Sequence, residues 1–253
     1  MHTTSAQCRR QGWEPAHLTD VTDVTDVTDE TAVATEAELR ALVGEPVDRV
    51  RDKVRTRLHP MDRLFLSASP FWLLATSSPD GANVSPKGDP AGSVLVVDDT
   101  TLVLPDRPGN KRLDGYLDVL RQPAVGLLFV VPGRGDTLRV NGDARIVREG
   151  PFFDTLVVQG KRPSLALVVD VREVFFHCIK AFLRSGLWDP STWAPDAVPS
   201  RAERRSRTPS SDRTRARRRS RPTTARATAP TSTDPGALPA AAHARSATPP
   251  PAR

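Results

Sequence analysis

Two short segments combine glycine with lysine or arginine in a pattern that suits a phosphate group. The first is Asn83–Asp89, which contains Lys87 beside Gly88, and the second is Leu104–Arg112. A glycine leaves backbone N–H groups accessible, and a neighbouring Lys or Arg supplies the positive charge that an anion needs. The two segments therefore indicate a binding site for a phosphorylated cofactor.

The second segment lies between the end of a predicted strand and the start of a predicted helix at 111–121. Asn110 is a candidate N-cap for that helix, whose first N–H groups carry partial positive charge. Arg107, Lys111 and Arg112 add three full charges. The pattern is compatible with an anion site, and equally with a solvated loop whose charges keep a sheet edge soluble.

Two further cations are open to more than one interpretation. Lys87 falls in a predicted turn, Ser85–Asp89, in which Pro86 restricts the chain and Gly88 permits an unusual backbone angle. It can direct a cation at a phosphate or an electron-rich ring, or it can be a simple turn lysine. Arg139 lies on the polar face of an alternating strand, where it can line a groove or pair with an acidic neighbour.

The sequence contains no convincing acid, base or nucleophile set. His59 precedes Pro60 and is typical of a surface or capping histidine, and no metalloprotease, hydrolase or dinucleotide motif occurs. His177 and Cys178 are adjacent, so on a strand they point to opposite faces and cannot chelate one metal. Phosphate-binding groups without catalytic residues favour a cofactor that performs the chemistry itself.

The positive charge of the chain is concentrated at its C-terminal end. The formal net charge is +6, but residues 191–253 hold 13 arginines and 4 acidic residues, which is +9. Residues 1–190 therefore carry 6 − 9 = −3. A nucleic-acid-binding globular domain is disfavoured, whereas a basic tail that binds nucleic acid or an anionic surface stays an alternative.

Cysteine content and hydropathy favour a soluble protein of the cytoplasm. The 2 cysteines have no metal-like spacing, and no metal site is expected. No apolar run approaches the ~20 residues of a membrane span, and the first twenty residues have no signal-peptide core. A membrane partner is therefore not expected.

Composition divides the chain into three parts. Residues 1–35 contain a Thr-Asp-Val repeat whose period of three matches neither a strand nor a helix, which predicts disorder. Residues 191–253, rich in Arg, Pro and Ala, are also predicted to be disordered because they have few large apolar residues to bury. The foldable part is 36–190.

The foldable part predicts a mainly β domain. Two short helices are expected before about residue 58, and apolar runs bounded by turn residues follow. The six predicted strands cover residues 71–76, 94–97, 102–104, 125–131, 137–147 and 165–176. Such a succession of short strands favours an antiparallel sandwich or barrel. In the helix at 111–121, Leu113, Tyr116, Leu117 and Leu120 form one apolar stripe.

Five of these segments together resemble the pyridoxamine 5′-phosphate oxidase-like, FMN-binding split β-barrel family. They are Phe71–Gly81, Val84–Asp89, Leu104–Asp114, Gly126–Phe129 and Thr137–Gly142. Phe176–Lys180 and Arg184–Trp188 fit an actinobacterial-type branch of that family. The resemblance extends from about Glu36 to Pro190 and implies a six-stranded antiparallel split β-barrel with flanking helices.

The same resemblance implies a homodimer with FMN at the subunit interface. It also implies that the protein is a flavin-dependent oxidoreductase, which transfers hydride at flavin N5 to or from a small molecule. Ser85 and Lys87 would lie near the ring or ribityl chain. The phosphate would be held by Arg107, Asn110, Lys111 and Arg112, with Arg139 approaching from a neighbouring strand. Arg184 and Trp188 would cover the flavin from the partner subunit.

Two alternatives remain open at this point. Relatives on this barrel also use deazaflavin F420 or haem, and the C-terminal Arg/His pattern of true pyridoxamine-phosphate oxidases is missing here, so oxidation of that substrate is not expected. The rival to an enzyme is a non-catalytic cofactor-binding or interaction protein. Its basic tail has six arginines between Arg213 and Arg221.

Overall fold

The computed structural model describes residues 32–203. The chain divides into two units, Met1–Ala197 and Val198–Arg253, and the sheet belongs to the first. The repeat predicted to be disordered within 1–35 and most of the tail within 191–253 lie outside the described residues. Two 3₁₀ turns, Pro190–Thr192 and Pro195–Ala197, continue beyond the boundary predicted at residue 190.

Seven strands form one antiparallel sheet in the order β2-β1-β5-β6-β7-β4-β3. The strands are β1 (Phe71–Ser78), β2 (Gly81–Gly88), β3 (Leu95–Val96), β4 (Thr101–Pro105), β5 (Ala124–Val130), β6 (Thr137–Val147) and β7 (Ala166–His177). This confirms the mainly β, antiparallel split-barrel class with flanking helices, with seven strands where the sequence predicted six.

Five α-helices flank the sheet in the part of the chain that the structure describes. They are α1 (Glu36–Val43), α2 (Asp48–Arg51), α3 (Pro60–Ala68), α4 (Asp114–Arg121) and α5 (Lys180–Ser185). A 3₁₀ turn, Phe153–Leu156, lies between β6 and β7. The two short helices predicted before residue 58 correspond to α1 and α2, neither of which buries a residue.

The strand that the sequence missed is β2, and its presence corrects the placement of Lys87. Lys87 does not lie in a turn: it pairs with Trp72 inside the β1–β2 ladder. The predicted turn at Pro86 was wrong because β2 is an edge strand, where a proline is tolerated since its missing N–H need not pair.

Strand register assigns the candidate residues to two faces of the sheet. Partners in an antiparallel ladder share a face. Trp72, Phe129 and Leu138 are consecutive partners and are 2%, 0% and 0% exposed, so their face holds the core. Lys87 pairs with Trp72 and lies on this inner face. Arg139 pairs with Leu128 and lies on the other.

A glycine allows β6 and β7 to approach closely where their register shifts. The shift falls between Asn141 and Gly142, opposite the extra residue Arg172 on β7. A Cβ on Gly142 would lie 2.3 Å from the Asp170 carbonyl oxygen, so no other residue fits without moving the backbone. Beyond this point both strands continue to carry side chains to the same core.

Candidate functional site

Helix α4 is fixed over β1 and β2 by a buried carboxylate. The Thr76 hydroxyl and the Asn83 side-chain amide both donate hydrogen bonds to Asp118 Oδ2, at 2.8 and 2.6 Å. Asp118 is buried, and hydrogen bonds to a charged acceptor are stronger than neutral ones. The carboxylate therefore determines where the first turn of α4, and the loop before it, lie relative to the sheet.

The loop before α4 is folded by local side-chain chemistry. Asn110 Oδ1 accepts a hydrogen bond from the Arg112 N–H at 3.0 Å, which is the geometry of an Asx turn. Lys111 and Leu113 both have φ of 59°, a left-handed conformation that side chains rarely adopt. The prediction of a helix from 111 with Asn110 as N-cap was wrong: the N-cap is Leu113.

Two cations of this loop face solvent at the N-terminal end of α4. Lys111 is exposed and makes no ion pair among the described residues. Arg112 is 60% exposed, and its Nε donates to Asp114 Oδ2 at 2.7 Å, which raises the pKa of the guanidinium. With the partial positive charge of the helix start, the pair can receive a phosphate.

Arg107 is occupied within the chain. Its Nε donates to Asp89 Oδ2 at 2.6 Å, and its terminal nitrogens donate to the carbonyl oxygens of Leu156 at 2.8 Å and Lys161 at 3.4 Å. The Arg107 and Asp89 side chains are 23% and 8% exposed. Arg107 therefore ties the end of β2 to the segment between β6 and β7.

Lys87 is directed at an aromatic ring of the chain itself. Its Nζ lies 5.2 Å from the centre of the Tyr116 ring, within the range of a cation–π contact. Lys87, Trp72 and Tyr116 line a cleft of only about 10 Å³, room for about one water molecule. Ser85 is on the same inner face, paired with Leu74. The cleft has no room for a flavin ring, so this geometry gives the predicted ring contacts no support.

Tyr116 also joins α4 to the loop. Burial raises the pKa of its phenol, and the charge of Asp106 and the hydrogen bond to it raise that pKa further. The phenol therefore stays protonated at neutral pH and can donate to the Asp106 carboxylate. Sequence reasoning missed this pair because Tyr116 formed part of an apolar stripe.

Arg139 belongs to a separate cluster on the outer face. Its guanidinium pairs with Glu173 and lies 4.0 Å from the centre of the Phe175 ring, while its buried Nε has no hydrogen-bond partner. The sequence left open whether Arg139 lines a groove or pairs with an acidic neighbour. The structure has the acidic neighbour, Glu173. Burial lowers the pKa of the nearby His177, and the charges of Arg139 and Lys53 lower it further.

Arg184 and Trp188 lie near the C-terminal end of the first unit. The Trp188 indole N–H donates to the Arg134 carbonyl oxygen at 2.6 Å, and its ring stacks on Phe182 with centroids 5.7 Å apart. Arg184 is exposed on α5. Contact with a flavin in a partner subunit stays a prediction for both.

The predicted residues thus do not form one cluster within a single chain. Asn110, Lys111 and Arg112 are together in the loop before α4. Arg107 and Lys87 line two different concavities, and Arg139 is on the opposite face of the sheet from Lys87.

Within 32–203, no group of three or more His, Cys, Asp or Glu side chains could hold a metal. In that same range no helix is long and apolar enough to cross a bilayer.

The fold and the loop chemistry agree with a comparison against protein families. Residues 58–178 match a model of the family described as pyridoxamine 5′-phosphate oxidase. Residues 58–178 therefore form a pyridoxamine 5′-phosphate oxidase-like domain, as the sequence predicted. Members of this family generally bind a flavin. None of the curated proteins matches the chain.

Several solved structures are similar over about half of this chain. HupZ of Group A Streptococcus is 19% identical, over 47% of this chain and 93% of its own, with a TM-score of 0.38. A Clostridium acetobutylicum protein related to general stress protein 26 of B. subtilis is 14% identical, over 46% and 85%, with a TM-score of 0.34. An FAD binding protein of Mycobacterium smegmatis is 13% identical, over 49% and 95%, with a TM-score of 0.32.

Proposed function

We propose that this protein binds FMN and acts as a flavin-dependent oxidoreductase on a small molecule. The observation that carries the proposal is the pair of solvent-facing cations, Lys111 and Arg112, at the start of α4 inside the segment that matches the family. A phosphomonoester is a dianion near neutral pH, and two cations beside a helix start suit its charge.

The loop residues fit a phosphate group in charge and in exposure. Lys111 would contribute a point charge and Arg112 a planar fork, while Asn110 holds the backbone between them in its turn. Arg107 would act indirectly, because its hydrogen bonds to Asp89 and Leu156 fix the start of the loop. A loop that suits a phosphate group favours FMN or F420 as the cofactor over haem, whose chemistry requires a ligand to its iron.

The chemistry would come from the cofactor, which when bound supplies a hydride acceptor and donor at flavin N5. The side chains of this chain would bind and orient it. Lys87, predicted to stabilise negative charge on the reduced ring, is held against Tyr116 in the single chain. A role for Lys87 at the ring would therefore require that it leave that contact.

We further propose that the protein is a homodimer. Leu117 and Leu120, which are three residues apart and so neighbours on α4, are 50% and 72% exposed. Large apolar side chains left in water side by side are typical of a surface that another chain covers. Light scattering of the full chain should give twice the 27.5 kDa monomer mass. A monomer mass at micromolar concentration would contradict the proposal.

The phosphate assignment is tested by comparing FMN with riboflavin, which lacks the phosphate. The purified wild-type chain should bind FMN with flavin absorbance bands and should bind riboflavin at least about a hundredfold more weakly. Two or more charge-assisted bonds of ~1.5–3 kcal/mol each would be lost. Equal affinity for both flavins would refute a phosphate site, and absence of binding to either would refute flavin binding itself.

A further inference from the structure

The outer face of β1, β2 and β5 is apolar and open to water. Its side chains alternate along each strand with core residues such as Trp72 and Phe129. Only Ser77 among them has a polar side chain, and none is charged. In the part of the chain that the structure describes, Val84 and Phe71 on this face are 66% and 39% exposed. We call this surface, which includes Phe71, Leu73, Val84, Pro86, Leu128 and Val130, the outer apolar face.

The strands that form the outer apolar face have the sequence pattern of strands buried on both sides. Along β6 the outward-facing residues are polar or charged, namely Arg139, Asn141, Asp143 and Arg145. β1 and β5 instead carry nearly continuous apolar runs, Phe71–Ala75 and Val125–Val130. A solvated face of an antiparallel sheet alternates with the apolar face, whereas a continuous apolar run is typical of a strand that is covered on both faces. The runs therefore indicate that another layer covers the outer apolar face.

A second apolar surface lies on the N-terminal arm, which is the segment 36–54 with helices α1 and α2. Neither helix buries a residue. Six large apolar side chains of the arm are between 42% and 76% exposed, namely Leu39, Leu42, Val43, Val47, Val50 and Val54. Since Leu39, Leu42 and Val43 are three and four residues apart, they share one face of α1. The arm therefore presents an apolar stripe to water.

Helix α1 has complete ends but no packed side. Thr35 and Glu38 form a capping box at its start, and Gly44 is its C-cap. The helix has only 8 residues. An isolated helix shorter than about 12 residues is marginal in water even when its residues favour helix, so that most helical stability comes from packing of an apolar face. The arm therefore needs a surface on which its stripe can pack.

The two apolar surfaces together have the area that a stable dimer needs. Within one chain they do not cover each other, because both are exposed. An apolar side chain of this size presents on the order of 100 Å² when fully exposed, so the side chains of the arm offer about 350 Å². A face three strands wide and about 25 Å long offers a similar area. If each arm covers the face of the other copy, the two contacts bury about 1,400 Å², within the range of specific interfaces.

We propose that the N-terminal arm of one copy packs on the outer apolar face of a second copy of this chain, and that the exchange is reciprocal. The inference rests on the proposed homodimer and names the surfaces that form its interface. The arm leaves the sheet at a fixed point, because Arg55 and Val174 exchange two backbone hydrogen bonds, at 3.0 and 2.7 Å, and Arg55 pairs with the buried Asp62. The residues from Arg55 onward therefore belong to the fold of one copy, whereas the arm before them belongs to the interface.

Light scattering of full-chain variants at micromolar concentration tests both surfaces. Val84→Lys places a charge on the outer apolar face, and Leu42→Glu places one on the arm. Both side chains are exposed in the single chain, so neither change should disturb its fold. Each variant should raise the dimer dissociation constant at least about a hundredfold, since the charge would be buried in the interface. Val97→Lys, at an exposed apolar position beside β3 on the other edge of the sheet, is the matched control and should leave the dimer unchanged.

Mixing the two monomeric variants tests the exchange itself. In a mixed dimer, the unchanged arm of the Val84→Lys copy meets the unchanged face of the Leu42→Glu copy. The second contact brings the introduced glutamate close to the introduced lysine, where opposite charges attract. The mixture should therefore contain dimers at a concentration at which each variant alone is monomeric.

Four outcomes would overturn the proposal. A dimeric Val84→Lys variant would refute this interface alone and leave the proposed homodimer standing, whereas a monomeric wild type would refute both. A dimeric Leu42→Glu variant beside a monomeric Val84→Lys variant would mean that the two sheet faces pack directly on each other. Monomers in the mixture would mean that the arm does not cover the face of the other copy. The comparison of FMN with riboflavin uses the wild type and is independent of these variants.

Discussion

The two ends of the loop between β4 and α4 carry the same residue types and have opposite environments. At one end Arg107 is 23% exposed and bonded to a carboxylate and two carbonyl oxygens. At the other, Lys111 is exposed and Arg112 has only the neighbouring Asp114. A cation whose donors are satisfied by its own chain builds the site, whereas an exposed cation remains free to bind a ligand.

The largest loss of stability is expected from removing Arg107, the cation whose donors are satisfied by its own chain. Arg107→Ala would leave Asp89, 8% exposed, without its partner and would free two carbonyl oxygens. We expect the free energy of unfolding to fall by about 2–4 kcal/mol, as is typical when a largely buried pair loses one member. Urea denaturation measures this change.

Arg121→Ala is the matched control for Arg107→Ala. Arg121 also pairs with an aspartate, Asp80, but the two side chains are 52% and 79% exposed. Its loss should cost no more than about 1 kcal/mol. If the two variants were equally stable, Arg107 would not tie the loop to the sheet.

A smaller loss of stability is expected at the pair of Tyr116 and Asp106, which joins α4 to the loop. Tyr116→Phe removes the hydroxyl that Asp106 accepts while keeping the buried ring. The loss should be about 1 kcal/mol in the free energy of unfolding, the usual net worth of one hydrogen bond. A variant as stable as the wild type would place the Tyr116 hydroxyl in water instead.

The same tyrosine predicts how the protein behaves in alkali. It is the only tyrosine, its ordinary pKa is 10.0, and burial raises the pKa in the folded state. The neutral phenol therefore stabilises the folded state below pH 10, and that contribution is lost as pH rises towards the higher folded pKa. Tyrosinate absorbance should appear at higher pH in the native protein than in urea. Coincident titrations would contradict the buried phenol.

The smallest effect on stability is expected in acid, at His177 on the outer face of the sheet. Burial, Arg139 and Lys53 lower the pKa of His177, so the unfolded chain takes up a proton first as pH falls below about 6.5. Stability contributed by the neutral imidazole is present above that pH and decreases as pH falls towards the folded pKa. His177→Gln should lose less stability between pH 7 and 5 than the wild type does. An equal loss would mean that His177 does not titrate differently on folding.

Much of the fold could be predicted because five strands contain apolar runs bounded by turn residues and a sixth, β6, alternates apolar and polar residues. All six predicted strands, which are β1 and β3 to β7, lie within one or two residues of the ranges that the sequence predicted. β2 could not be predicted in this way, since Pro86 and its polar neighbours are acceptable only on an edge, and a sequence does not reveal which strand is the edge.

The candidate site was predictable only where it is local. The motif around Lys111 and Arg112 is one continuous turn, so its charge and its place before a helix could be inferred from the sequence. The partner of Arg107 could not, because Asp89 is 18 residues away and meets it only through the packing of β2 against the loop. The sequence predicted one apolar stripe on α4, and within it Tyr116 is 6% exposed but Leu120 is 72% exposed, as the proposed dimer would require.

The central claim is that the exposed cations of the loop between β4 and α4 bind the phosphate of FMN. The most direct test is a titration of FMN, followed by flavin fluorescence, with variants of these cations. Lys111→Gln with Arg112→Gln should weaken FMN binding by at least about tenfold and leave the free energy of unfolding within about 0.5 kcal/mol of the wild type. Arg121→Gln, an exposed cation at the far end of α4, should change neither. Wild-type FMN affinity in the double variant would contradict the assignment of the phosphate to this loop.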